Sequence, residues 1–104
     1  MNRMYKTHND KKNIKTCGTS YQGEVYTSYK KLFKLFGEPT SGDGYKVDAE
    51  WNVEFDDGKV ATIYNWKDGK NYNGAEGMET ENITDWHIGG FEKDVVDRIE
   101  IIVK

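Results

Sequence analysis

The segment from Tyr45 to Trp66 constrains the fold of this chain more than any other part of the sequence. In its first half, apolar and polar residues alternate one by one, which is the period of a half-buried β-strand. Asp57-Gly58 then predicts a tight turn, because glycine readily adopts the left-handed backbone that such turns need. A second alternating run begins at Val60. The segment therefore predicts a β-hairpin.

The register of this hairpin decides which side chains share a face. Pairing Phe55 with Val60 places Trp51 opposite Tyr64, so we expect the aromatic side chains of both strands, Trp66 included, to face the core. The opposite face then carries carboxylates into solvent: Asp48, Glu50 and Glu54. The hairpin predicts a buried aromatic face and an open acidic face.

Two further segments precede and follow the hairpin. Residues 19–26 predict a short strand with a bulge near Gly23, and residues 28–36 predict an amphipathic helix that Gly37 and Pro39 end. Residues 84–88 alternate again and predict a strand with Trp86 facing inward and His87 outward. The run between these segments, residues 67–77, is rich in glycine and asparagine and predicts an exposed loop.

The C-terminal segment has two interpretations. Phe91, Val95, Ile99 and Ile102 recur at helical spacing and favour a helix, while the β-branched run over 99–103 allows a last strand. The sequence thus predicts an α+β fold for a single domain over residues 17–104. Its architecture is an antiparallel sheet of three to four strands with two helices on one face, in the order β-α-β-β-β-α.

Charge is distributed unevenly along the chain. Residues 1–36 hold eight basic and two acidic residues, whereas residues 37–104 hold seven basic and sixteen acidic ones. Residues 1–16 show no periodicity, so we expect a flexible basic N-terminal arm, for which contact with nucleic acid is one interpretation. No apolar run approaches the length of a membrane span, and the single Cys17 has no internal disulfide partner. We expect a cytoplasmic protein without membrane contact.

The sequence contains no constellation that indicates catalysis or metal binding. Its two histidines, His8 and His87, lie far apart, and no spacing brings Cys17 to either of them. Zinc-type ligand spacing and a calcium-binding loop are both lacking, and the aspartates beside glycines are typical of turns. We therefore expect a protein that is not an enzyme and that uses no cofactor or metal.

One group of residues suggests a ligand pocket. Trp66, Tyr72 and Trp86, with His87 beside them and the glycine-rich loop near them, are able to line a pocket that stacks on a nucleotide base. The competing interpretation is that Trp66 and Trp86 are neighbouring core residues. The sequence favours the core interpretation.

Several stretches of the chain resemble a group of small phage proteins. They are residues 28–39, 43–47, 49–51, 55–58, the stretch 60–67 with the motif ATIYNWK and the motif WHIGG at 86–90. The resemblance covers roughly residues 18–90 and implies a phage origin. The group carries no established activity, so the resemblance implies an origin and not a mechanism. Phage proteins of this size often bind and disable host machinery, including defence systems, and this general tendency is the basis of the first hypothesis below.

These observations lead to three hypotheses. The first is a phage accessory protein that inhibits a host protein, for example a CRISPR nuclease, with a contact surface made of acidic residues: Asp48, Glu50, Glu54, Glu76, Glu79 and Glu81. The second is a protein that sequesters a nucleotide signal. The third is an assembly module that dimerises through an exposed sheet edge.

Overall fold

The computed structural model describes residues 5–7, 18–41 and 46–104, and within these ranges the chain forms one antiparallel sheet with three helices. The sheet has five strands in the order β1-β3-β4-β5-β2. They are β1 (Tyr5–Thr7), β2 (Ser20–Tyr26), β3 (Glu50–Phe55), β4 (Val60–Tyr64) and β5 (Asp85–Gly90). The helices are α1 (Tyr29–Phe36), α2 (Lys70–Asn73) and α3 (Asp94–Val103). The predicted α+β class and antiparallel sheet are confirmed, with one strand and one short helix more than expected.

Helix α1 begins and ends where its local sequence predicts. The Ser28 side chain accepts a hydrogen bond from the backbone N–H of Lys31 at 3.1 Å, which satisfies one of the free donors at the helix start. Gly37 follows the last turn with φ at +86°, a conformation that glycine adopts without strain. Leu32 and Phe36 are fully buried against the sheet. The apolar stripe of the sequence is therefore the packed face.

The C-terminal segment is a helix, which decides between the two interpretations of residues 99–103. Val95, Ile99 and Val103 lie four residues apart and are buried on the same side of the sheet as α1. Phe91 lies before the helix, in the segment that links it to β5, and its side chain is exposed. The helix thus begins three residues later than the apolar spacing suggested.

Strand β1 was not predicted. Tyr5–Thr7 pairs antiparallel with β3, although the sequence places these residues in a flexible arm. The Tyr5 ring packs on Phe36 at 5.3 Å, and its hydroxyl donates to the Leu35 carbonyl at 3.4 Å. Three residues are too short to show a periodicity, so only the tertiary contact reveals this strand. The rest of the predicted arm, with His8, lies outside the described residues, and so does Cys17.

The register of the β3–β4 hairpin differs from the prediction by one residue. Val60 pairs with Glu54, and the Phe55 N–H donates to the Lys59 carbonyl at 2.8 Å, so the loop holds three residues that end at Gly58. Gly58 has φ at +90°, as the left-handed position of a three-residue hairpin requires. A shift of one residue moves every side chain of β4 to the other face.

The core consequently contains a different set of residues from β4. Ala61 and Ile63 point toward the helices and are fully buried, whereas Tyr64 points to the opposite side. Trp51 and Trp86 lie side by side in the core with ring centroids 5.3 Å apart. Their indole N–H groups donate to carbonyls at the two ends of α1, in Gly37 and Thr27 respectively. The hairpin thus has a buried face with an aromatic residue, as predicted, but Tyr64 and Trp66 do not lie on it.

None of the helices in the described ranges combines the length and the apolar character that crossing a membrane would demand.

Candidate functional site: an aromatic patch on the open face

The face of the sheet turned away from the helices carries a row of four side chains, one from each of four neighbouring strands. Glu50 pairs with Tyr64, Tyr64 pairs with His87, and His87 pairs with Glu24. Directly paired residues in an antiparallel sheet present their side chains on the same face. The sheet thus holds a phenol and an imidazole in the middle of this row and a carboxylate at each end.

Four rings gather around this row and form what we call the aromatic patch: Tyr21, Tyr64, Trp66 and His87. The His87 ring is the central one. It lies 4.9 Å from the Tyr21 ring and 5.6 Å from the Tyr64 ring, and it lies 6.4 Å from the Trp66 ring with planes only 23° from parallel. Tyr64 and Trp66 meet edge to face at 6.2 Å and 78°. Such distances are typical of favourable ring contacts.

The aromatic patch lines a shallow pocket of about 290 Å³. Trp66 keeps 40% of its surface exposed and Tyr21 keeps 53%. Large aromatic side chains are normally buried on folding, because burial removes a large apolar surface from water. Two of them exposed around one pocket, Tyr21 on β2 and Trp66 just beyond β4, therefore mark a surface suited to binding.

Carboxylates border the aromatic patch on two sides. The Glu24 Oε1 lies 3.4 Å from the His87 Nε2. Partial desolvation and the nearby Glu24 carboxylate raise the pKa of Tyr21 above its ordinary value. Desolvation and the neighbouring Glu50 do the same for Tyr64. Both tyrosines therefore stay neutral at physiological pH and keep their hydroxyl protons for hydrogen bonding.

Ammonium groups border the Trp66 side. The Lys46 and Lys67 amines lie 5.4 and 5.7 Å from the Trp66 ring centroid, and the Lys67 amine also lies 5.5 Å from the Tyr72 ring. These are cation–π distances. The aromatic patch is thus negative at its Glu24 side and positive at its Trp66 side.

The backbone of Lys67 is unusual. Its φ is +61°, which makes it the one non-glycine residue with a positive φ among those that the structure describes. Its N–H donates to the Lys46 carbonyl at 2.8 Å, and its own carbonyl accepts from the Asn73 amide at 2.8 Å. These bonds hold a conformation that lysine disfavours, and such strain recurs at functional sites.

Asn65 fixes the loops on which these lysines lie. Its buried Oδ1 accepts hydrogen bonds from the backbone N–H groups of Asp48 and Ala49 at 2.7 and 3.1 Å. Its Nδ2 donates to the carboxylates of Asp48 and Asp68, both at 2.9 Å. Desolvation, together with the nearby Asp85, raises the pKa of Asp68. One amide therefore ties the segment before β3 to the segment after β4.

The structure brings together three of the four residues that the sequence suggested for a ligand pocket. Trp66, His87 and Tyr72 lie on or beside the aromatic patch. Trp86 does not, because it is fully buried on the helix side of the sheet. The alternative that Trp66 and Trp86 are neighbouring core residues is right for Trp86 and wrong for Trp66, which keeps 40% of its surface exposed.

Sequence reasoning missed the other members of the site. Tyr21 and Glu24 lie on β2, whose partner strand was unknown, and Tyr64 was assigned to the core by the shifted register. The alternation of β4 would have placed Tyr64 on the open face if the length of the preceding loop had been predicted correctly. Nothing in the sequence indicated that Lys46 would meet Trp66.

The six predicted acidic contact residues do not form one surface. Glu50 and Glu54 lie on the open face. Asp48 is engaged by Asn65 and by the Asn71 backbone N–H, so it holds the loop together. The other three lie beyond β4, in the segment after α2: Glu76, which is exposed, Glu79, which pairs with Lys70 at 2.7 Å, and Glu81, which borders a groove on α1.

Glu81 therefore belongs to the other side of the molecule. Its groove is lined by Tyr29 and Phe33 of α1, a helix that covers the core face of the sheet. A single flat partner cannot contact Glu81 and Glu50 together. The predicted acidic residues are thus divided between Glu50 and Glu54 on the open face and separate loops.

Within the described ranges, no group of three or more histidine, cysteine, aspartate or glutamate side chains is arranged to hold a metal ion. Comparison with protein-family models, with curated proteins and with solved structures found no match to this chain.

Proposed function

We propose that this protein is a non-enzymatic phage accessory protein that binds and inhibits a host protein in the host cytoplasm, and that the aromatic patch is its contact surface. A host defence factor that handles nucleic acid, such as a CRISPR nuclease, is the class of target that we favour. The sequence resemblance is the sole support for the phage origin. The exposed rings support the choice of contact surface.

The exposed rings of the aromatic patch are the observation that carries the proposal. Residues that dominate protein–protein binding are enriched in tryptophan and tyrosine and cluster at the centre of the contact. Here Tyr21 and Tyr64 are held on strands of the sheet and Trp66 packs on Tyr64, so little conformational entropy is lost when a partner covers them. Such a platform is well suited to a flat macromolecular surface.

Charge around the aromatic patch supports a basic partner. Glu24 and Glu50 border the rings, Glu54 lies further along β3, and the whole chain carries a net charge of −3. Proteins that handle nucleic acid line their channels with arginine and lysine to bind phosphates. Opposite charges speed association and fix the register of a complex, while the buried rings supply most of its affinity.

The test is affinity capture from a bacterial host lysate with mass spectrometry of proteins and small molecules. We expect one host protein at near-equal stoichiometry with the wild-type chain and at least about tenfold less of it with Trp66→Ala. Phe33→Ala is the matched control, because Phe33 is exposed to a similar degree on α1. Capture that Phe33→Ala abolishes and Trp66→Ala preserves would refute the assignment of the contact surface.

A second candidate function uses the same surface. Lys46 and Lys67 beside Trp66 are placed to bind a phosphate while a base stacks on the rings, as a protein that sequesters a nucleotide signal would require. This function predicts a nucleotide in the small-molecule fraction. It also predicts a rise in melting temperature with added cyclic dinucleotide that Trp66→Ala removes.

A further inference from the structure

We infer that the aromatic patch recognises an arginine side chain of the partner, whose guanidinium lies against the His87 and Trp66 rings next to Glu24. This inference rests on the proposed function and deepens it, because it names the chemical group that the contact surface selects. Three features of the site carry the inference: the order of charges in the cross-strand row, the orientation of the rings, and the position of the chain's own lysines.

The cross-strand row favours a cation in its centre. Its order across the sheet is Glu50, Tyr64, His87, Glu24, with a carboxylate at each end and π-electron faces between them. Ring faces attract cations, and carboxylates attract them further. An anion over the same two rings would face both carboxylates, so the centre of the row selects positive charge.

The rings favour a flat cation over a round one. The Trp66 and His87 rings lie 6.4 Å apart with planes 23° from parallel, so a planar group that stacks on one ring is also nearly parallel to the other. A guanidinium is planar, stacks on aromatic faces and presents five N–H donors. One or two of these donors can bond to Glu24, whose Oε1 lies 3.4 Å from the His87 Nε2, while Glu50 at the far end of the row adds attraction at longer range. A lysine ammonium is compact and strongly hydrated, and it satisfies this arrangement less well.

The chain's own lysines show that the site already attracts cations. The Lys67 amine lies between Trp66 and Tyr72, 5.7 and 5.5 Å from their ring centroids. An incoming guanidinium must share the Trp66 ring with this ammonium and with Lys46. Loss of the Lys67 charge should therefore strengthen arginine binding, whereas it should weaken a ligand that needs a cation for its phosphate.

The experiment is a titration of the full chain, followed by NMR of the Trp66 and His87 ring protons. The probe is N-acetyl-arginine methylamide, with the corresponding lysine compound and GMP as comparators. We expect saturable shifts of both rings with the arginine compound at millimolar concentration, and weaker shifts with the lysine compound. Glu24→Gln should weaken arginine binding roughly fivefold or more, since one charge-assisted hydrogen bond is lost.

Lys67→Gly is the variant that separates the two ligand classes. Glycine adopts the positive φ of residue 67 without strain, so this change removes the charge and leaves the backbone intact. We expect it to tighten arginine binding. Arginine affinity that is unchanged in Glu24→Gln, or GMP affinity that exceeds arginine affinity and falls in Lys67→Gly, would overturn the inference.

The outcome is separable from that of the proposed function. A host protein whose capture depends on Trp66, together with no response of the rings to the arginine compound, would refute the arginine inference and leave the inhibitor proposal in place. Arginine binding that depends on Glu24, without any captured protein, would support the chemistry of the site and refute the inhibitor proposal.

Discussion

Asn65 is the residue on which the geometry around Trp66 depends most. Its side chain is fully buried and satisfies two backbone donors and two carboxylates in the segments that carry Lys46 and Lys67. A buried polar network of this kind stabilises only while all of its members are satisfied. The Asn65 side-chain amide therefore holds both of the loops on which these lysines lie.

Asn65→Ala should lower the free energy of unfolding by about 2–4 kcal/mol, because it leaves two backbone N–H groups without their acceptor. Urea denaturation measures this directly. Asn71→Ala is the control, since Asn71 is exposed, and it should change stability by less than about 0.5 kcal/mol. Equal effects of the two variants would show that Asn65 does not hold the loops.

At the scale of single residues, the sequence predicted the outward direction of His87 and the inward direction of Trp86 correctly. Alternation within one strand fixes which neighbours share a face. For Trp66 the prediction failed, because its face depends on a loop length that alternation does not reveal. The same limit hid Tyr64. The sequence thus suggested half of the site and assigned its central phenol to the core.

The β3–β4 hairpin is the element that sets the composition of both faces. Its three-residue loop places Gly58 at φ +90°, with no atom within 4 Å of the position that a Cβ would take. The register therefore depends on backbone conformation alone at this position. Local signals of this kind also explain why α1 was predicted well, while β1, which exists through pairing with β3, was not.

Gly58→Ala should destabilise the protein by about 1–2 kcal/mol, since an alanine disfavours the left-handed region and here meets no clash that would add to the cost. Urea denaturation should show a lower midpoint with an unchanged slope. Gly58→Asn should retain more of the stability, because asparagine tolerates this region. An alanine variant as stable as the wild type would contradict the assigned loop conformation.

An ion pair joins the same hairpin to α3. The Arg98 guanidinium donates to both oxygens of Asp57 at 3.0 and 2.7 Å. Hydrogen bonding to Arg98 lowers the pKa of Asp57 from 3.8 to about 2. Because the folded-state pKa lies below the unfolded value, this pair stabilises the protein fully above about pH 4 and loses its effect between pH 4 and 2.

The expected result is a melting temperature of Asp57→Asn a few degrees below that of the wild type from pH 7 to pH 5, with the difference closing toward pH 2. Asparagine keeps the acceptor for the Lys59 N–H, so the turn itself is preserved. Thermal unfolding followed by circular dichroism over this pH range measures the difference. A gap of constant size down to pH 2 would show that the ionised pair does not stabilise the fold.

At the scale of the whole molecule, the two faces of the sheet have separate roles. One face holds the core under α1 and α3, and the other presents rings and charges that the core does not need. Changes on the open face should therefore alter binding without unfolding the protein. The antiparallel α+β architecture was predictable from periodicity, but the site depends on pairing between strands that are distant in sequence.

Charge reversal tests the electrostatic part of the proposal. Glu50→Lys combined with Glu54→Lys should weaken capture of a basic partner at least about tenfold while the melting temperature changes little. Glu76→Lys combined with Glu79→Lys is the matched control in an exposed loop and should leave capture nearly unchanged. If only the Glu76 and Glu79 variant lost capture, the partner would contact this loop and not the open face.

The central claim, that the aromatic patch is the contact surface, is tested most directly by acrylamide quenching of tryptophan fluorescence. Trp51 and Trp86 are fully buried, so Trp66 is the indole that acrylamide reaches. We predict that the captured host protein reduces quenching to the level of the Trp66→Phe variant. Quenching that stays at the level of the free protein in a stoichiometric complex would contradict the claim.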